Sequence, residues 1–213
     1  MLKEIQCINI TEKRNNLFKI LFSNGYSCLL PKQFFVYFNP YRGKMVSKEE
    51  YIRIVDFARL RREINYAINL VKKRCYSLRE LYEKLTKVKK LSFRDSKIIV
   101  DFLKEEYGIK ENNTISTLIE EFNGRNLSNS MIEMKLIDKK FNYKLIKGLN
   151  KFDYQKEVDK GINVAKKYLN SRVNRNKEDD LSLNVYNLLS HKGFKFEIIN
   201  DVLENVFDKI KAN

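Results

Sequence analysis

The sequence predicts a mainly α protein: tandem three-helix, helix-turn-helix-like repeats forming an elongated, curved array, with a small N-terminal β-hairpin or sheet domain in front. Three observations predict it. Both prolines, Pro31 and Pro40, fall in the first 45 residues, so no proline interrupts a helix from Ser47 onward. Asn24-Gly25 sits between two apolar runs in the stretch Leu17 to Leu30, the strongest short hairpin signal. An apolar template then recurs further along the chain with a shift of 53 residues.

In chain order, Asn24-Gly25 predicts a type I′ turn, with Cys7 to Ile10 as a third strand. A short helix is expected around Gln33 to Phe38, and a turn at Arg42-Gly43. Ser47 to Glu50 (SKEE) and Ser77 to Glu80 (SLRE) read as capping boxes: the serine accepts an N–H of the first turn and the glutamate reaches back. Gly108, Gly124, Gly148 and Gly193 fall at or near predicted helix ends.

The template consists of Ile132, Leu136, Phe141, Tyr143, Leu145, Ile146 and Leu149. Shifted by 53, it becomes Val185, Leu189, Phe194, Phe196, Ile198, Ile199 and Val202, apolar at every position. A looser copy, Leu81, Leu85, Leu91, Phe93, Ile98, Ile99 and Phe102, needs an insertion at its turn. The turns lie at Lys140 and Gly193, and the stripe is read as core. Each copy follows an amphipathic helix, at Ile64 to Cys75, Thr114 to Asn123 and Tyr154 to Leu169. Such units bury little alone and stack side by side. The expected division is 1–46, a β-rich domain; 47–107, a linker helix and the first repeat; 108–152, the second repeat; and 153–213, the third.

Composition narrows the function classes. The chain has 42 Lys and Arg against 27 Asp and Glu, a net charge of +15 that draws it to polyanions. Cys7, Cys28 and Cys75 are too scattered for a disulfide framework or a zinc site, which fits a reducing compartment. The lone His191, before Lys192-Gly193, reads as a helix C-terminal residue rather than a base or ligand. No apolar run reaches the ~18 residues of a membrane span, and the charged start MLKEIQCINITEKR is unlike a signal peptide, so a cytoplasmic location is expected. No GxSxG, HExxH or phosphate-loop motif is present, and Gly161 stands alone. The expectation is a binding protein without cofactor or metal, not an enzyme.

The charge is segregated. Arg59 to Lys97 holds thirteen basic and four acidic residues, net +9, whereas Asp101 to Glu121 holds two basic and six acidic, net −4. The binding candidates are therefore Arg59, Arg62, Lys72, Lys73, Arg74, Arg79, Lys87, Lys89, Lys90, Arg94 and Lys97. A second basic run adds Lys166, Lys167 and Arg172. Tyr76 and Tyr82 lie among these cations as possible stacking residues.

The repeat and its decorations resemble the RecX family, the regulators of the recombinase RecA. In the first repeat, Ala67 to Arg74 is followed by Ser77-Leu78-Arg79-Glu80-Leu81 and Leu85, as in the family. In the third, Leu188-Leu189-Ser190-His191-Lys192-Gly193-Phe194 matches its apolar pair, basic residue, glycine and aromatic. The β front followed by FNPYRGKMVSKEEYIRI looks like the N-terminal extension of RecX proteins from low-GC Gram-positive bacteria. The second repeat departs, with Ile109-Lys110-Glu111-Asn112-Asn113 lacking an Asp pair and Lys140 replacing a glycine. The resemblance implies a monomer that binds RecA filaments on single-stranded DNA and inhibits the recombinase in recombination, repair and the SOS response. It implies weak duplex binding at most, and no membrane and no cofactor. A different class, a helix-turn-helix transcription or nucleoid protein acting on duplex DNA, shares the same outline.

Overall fold

The computed structural model describes residues 4–171 and 178–211. Among them are eleven α-helices and one four-stranded antiparallel sheet, so the chain is mainly α with a small N-terminal sheet, as expected. The residues group into two compact units: Met1–Arg74 with Tyr82–Glu106, and Cys75–Leu81 with Tyr107–Asn213.

In the first unit, β1 (Ile5–Lys13), β2 (Leu17–Phe22), β3 (Ser27–Pro31) and β4 (Met45–Val46) form a sheet of order β3-β2-β1-β4. Ile20 pairs with Cys28 and Phe18 with Leu30. Period-two alternation buries Ile20, Phe22, Cys28 and Leu30 and leaves Lys19 and Leu29 outward. The hairpin is present, but its loop is not type I′. Only Gly25 has positive φ, at 80°, and Gly25 N–H and Phe22 N–H donate to Phe22 O and Tyr26 O. That is a three-residue loop with a glycine bulge. The Asn24 carboxamide selects it, accepting from Tyr26 N–H at 3.0 Å while donating to the Tyr51 hydroxyl.

α1 (Lys32–Phe38), α2 (Lys48–Arg59), α3 (Arg61–Lys73) and α5 (Phe93–Glu106) complete this unit, with the C-terminal part of α4 (Leu78–Lys87). Phe34, Tyr37, Phe38, Phe57 and Phe102 interlock, mostly edge to face with centroids 4.8–6.0 Å apart. Ser47 caps α2 by accepting from Glu50 N–H at 3.1 Å. The Glu50 carboxylate does not close the box; Lys44 takes it at 2.6 Å, a stronger partner than a neutral N–H.

The second unit holds α6 (Glu111–Gly124), α7 (Asn129–Asp138), α8 (Tyr143–Leu149), α9 (Tyr154–Asn170), α10 (Glu178–His191) and α11 (Phe196–Lys211). α7 and α10 end in the same turn. Phe141 N–H donates to Leu136 O and Lys140 N–H to Ile137 O; Phe194 N–H donates to Leu189 O and Gly193 N–H to Ser190 O. The pivots, Lys140 (φ 66°) and Gly193 (φ 81°), are left-handed, as this C-cap requires. In the looser first copy Leu91 N–H reaches back to Leu85 O, one residue further, and its other extra residues lie between Phe93 and Ile98, inside α5 rather than at the turn.

One junction recurs. Ser77 caps α4, accepting from Glu80 N–H at 3.0 Å, and its hydroxyl donates to Lys139 O at 2.6 Å. Glu111 accepts from Leu78 N–H at 3.1 Å. Likewise Ser128 caps α7 through Met131 N–H, and Glu157 accepts from Asn129 N–H at 2.7 Å. Both serines are fully buried. In each case the second helix of one repeat is capped twice, by its own serine and by a glutamate of the next repeat. Gly193 closes against the same serine: a Cβ there would stand 2.8 Å from Ser128 Oγ.

The template is only partly core. Phe141 and Phe194 are buried, with Ile132, Leu136, Ile146, Val185, Leu189, Ile198, Ile199 and Val202. Tyr143, Phe196 and Phe93 are exposed, because the first residue of a helix that leaves a turn points away from the helix it folds back on, and Leu149 is exposed at the other end of α8.

Candidate polyanion-binding surface

Most of the predicted cations fall in the first unit. Arg59, at the end of α2, donates to both oxygens of Asp95 at 2.6 and 2.9 Å and to Asp56 at 3.0 Å. Arg94 takes the other Asp56 oxygen at 3.0 Å. This cluster ties α2 to the start of α5, around a nearly buried Asp56. The Arg59 hydrogen bonds hold the Asp95 carboxyl below its ordinary value, and the two aspartates hold the Arg59 proton more firmly. Arg59 and Arg94 therefore have carboxylate partners already.

The remaining candidates differ in how free they are. Lys72 and Lys73 occupy the exposed last turn of α3, and Arg62 and Lys97 are also exposed; none of the four has an ion-pair partner among the described residues. Lys72 and Lys73 also suit the negative end of the helix dipole. Lys89 lies 4.2 Å from the centroid of the Tyr66 ring. Lys87 pairs with Glu83 at 3.4 Å, and Lys90 is exposed at the left-handed turn after α4 (φ 53°). Arg74 is exposed just beyond α3. Arg79 is exposed on the first turn of α4, which groups with the second unit. Tyr76 is buried, and Tyr82 meets Phe93 edge-on at 5.5 Å.

Two grooves collect cations that the linear reading left out. In the first unit a cavity of about 610 Å³ is lined by Lys13, Lys19, Arg59 and Arg61 with Leu17, Tyr26 and Leu29. β1 and β2 hold one lysine each, Lys13 and Lys19, so no spacing in the sequence marked them. In the second unit Lys166 and Lys167 are exposed on α9. Lys167 lines a groove of about 420 Å³ with Arg125 and Lys192. Arg125 is paired with Glu121. Arg125 and Lys192 both sit beside helix ends, where basic residues are favoured, and that was their signal. Arg172 lies outside the described residues.

The chemistry on offer is charge and ring stacking. Among the described residues no group of His, Cys, Asp and Glu is placed to hold a metal, and no helix is long and apolar enough to cross a membrane. Burial pushes the Cys28 thiol up to about 11, which keeps it protonated and unreactive at neutral pH.

A curated protein of Streptococcus uberis named Regulatory protein RecX is 23% identical over 197 residues, covering 92% of this chain and 75% of its own. A crystal structure of regulatory protein RecX shares the fold with a TM-score of 0.63 at 14% identity, over 93% of this chain and 98% of that one. RecX from Lactobacillus salivarius does so with a TM-score of 0.57 at 18% identity, over 69% and 96%. No protein-family model matches the chain.

Proposed function

We propose, from the RecX family assignment that the curated relative and the solved structures support, that this protein binds RecA filaments on single-stranded DNA and restrains the recombinase. The observation that supports this most is the likeness to a protein named a RecX regulatory protein over 92% of the chain. The repeats add a physical reason, since a series of capped three-helix units suits a long, regular partner. The exposed cations of the first unit are the proposed contacts. Lys72 and Lys73, with Arg62, Arg74 and Lys97, would meet DNA phosphates or acidic recombinase surface, and each phosphate contact would make binding fall with salt. Arg59 and Arg94 are assigned to holding α2 and α5 together.

The test is RecA ATPase on single-stranded DNA with the protein titrated below one copy per recombinase. Inhibition is expected at these amounts. Lys72→Glu with Lys73→Glu should relieve it with only a small drop in the thermal melt, from two acids at the negative end of α3. No effect on hydrolysis by the unaltered chain, together with salt-sensitive duplex binding, would reject the filament reading in favour of direct duplex binding.

A further inference from the structure

One position of the repeat is aromatic in every copy yet serves no core. It is the first residue of the third helix: Phe93 in α5, Tyr143 in α8 and Phe196 in α11, exposed by 72%, 55% and 61%. Two residues earlier, Phe141 and Phe194 are each 5% exposed, so the turn itself separates a ring that packs from a ring that does not. A large ring left in water forfeits the stabilisation its burial would supply.

In the second unit these rings have company. Phe152 and Tyr154, in the link into α9, are also exposed, with centroids 6.4 Å apart. Lysines stand among them: Lys147 Nζ is 5.6 Å from the Tyr143 centroid, and Lys195 Nζ is 5.3 Å from that of Phe152. Lys147, Lys151, Lys195 and Phe152 share one open cleft of about 330 Å³, although Lys195 is more than forty residues from the others in the chain. Glu197 stays exposed near Tyr154, and the other nearby carboxylates are accounted for. Glu133 pairs with Lys147 at 2.9 Å, Asp153 caps α9 and pairs with Lys156, and Asp201 accepts the Tyr154 hydroxyl at 2.6 Å. Lys151 and Lys195 have no ion-pair partner among the described residues.

We propose that this cleft binds the unpaired bases of single-stranded nucleic acid directly, without the recombinase. Phe152, in the cleft, and Tyr143, beside the cleft's Lys147, are the stacking platforms, and Lys151 and Lys195 hold the flanking phosphates. Exposed rings interleaved with unpaired lysines match a ligand that presents an apolar ring face and an anionic backbone within a few ångströms of each other. A duplex hides its base faces, and an acidic peptide would satisfy the lysines but leave the rings idle. The site lies in a different unit from Lys72 and Lys73 and goes beyond the filament reading.

The experiment is fluorescence anisotropy of the full chain with a labelled single-stranded oligonucleotide, beside an abasic strand of the same length and charge and a duplex. The base-bearing strand should bind at least about tenfold more tightly than the abasic one, given stacking on two rings. Phe152→Ala with Tyr143→Ala should abolish that preference and leave abasic binding unchanged. Lys151→Glu with Lys195→Glu should weaken both strands and flatten the salt dependence. All four side chains are exposed, so the variants should melt with the parent. Equal affinity for abasic and base-bearing strands, tighter binding to duplex, or a double alanine variant that keeps the preference would overturn the proposal. The assay contains no recombinase, so its outcome and that of the ATPase test are read separately.

Discussion

In the second repeat α6 places Ile115, fully buried, four residues after the junction glutamate Glu111. In the third repeat the residue four after Glu157 is Gly161, where a Cβ would lie 2.6 Å from Val202 Cγ2. The two repeats share a capping serine, a glutamate clamp and a turn, but they fill their interiors in opposite ways. The second fills the space with its own side chain and ends in a seven-residue α8, whose Leu149 is left 38% exposed. The third withdraws the side chain, so that α11 presses directly on α9 and the corresponding Val202 is fully buried. Among the described residues, twelve buried ones then form its core against seven in the second. One residue type thus decides whether a helix closes to backbone distance.

The largest way to break this contrast is to exchange what fills the space. Ile115→Ala should leave a cavity costing about 2–5 kcal/mol. Gly161→Ala should cost about 1–3 kcal/mol by overpacking, less the ~1 kcal/mol that alanine adds to helix propensity. Both are read from urea denaturation midpoints. Val202→Ala should relieve Gly161→Ala, and a strictly additive double variant would show that the close approach is not the cause.

The junction gives the next effect. Glu157 is 4% exposed and accepts from both Asn129 N–H and Lys160. Glu157→Ala should cost about 2 kcal/mol, as for a hydrogen bond to a buried charge. Glu111→Ala, at a half-buried and longer contact, should cost about 1 kcal/mol. Equal losses would mean that the two junctions are the same device despite their different burial.

The smallest effect sharpens the comparison at the turns. Lys140→Gly should raise stability by about 1 kcal/mol, because a left-handed φ strains a side chain that glycine lacks. Gly193→Ala should do the reverse, with the added clash at Ser128 Oγ. A neutral Lys140→Gly by differential scanning calorimetry would show that the lysine is unstrained there.

Much of the fold was legible because its signals are local. Ser47, Ser77, Gly193 and the proline-free stretch state where helices begin and end, since capping and backbone conformation depend on a few neighbouring residues. The hairpin was legible, but its loop type was not, because Asn24 answers to Tyr51, twenty-seven residues away. The site was legible only as charge density. Asp56 lies one helical turn before Arg59 and was readable from spacing, but only the fold brings Asp95 to Arg59 and Asp56 to Arg94. Arg125 and Lys192 join Lys167 for the same reason.

The sequence by itself determined the helix and turn positions, the repeat and the basic excess, because each follows from residue type and spacing. The tertiary structure alone decided which template aromatics are core and which are surface. Phe141 and Tyr143, or Phe194 and Phe196, are two residues apart and chemically alike, yet burial depends on the direction in which the turn releases the next helix. It also decided that Glu111 and Glu157 cap a helix of the preceding repeat, since a long-range hydrogen bond has no fixed spacing in sequence.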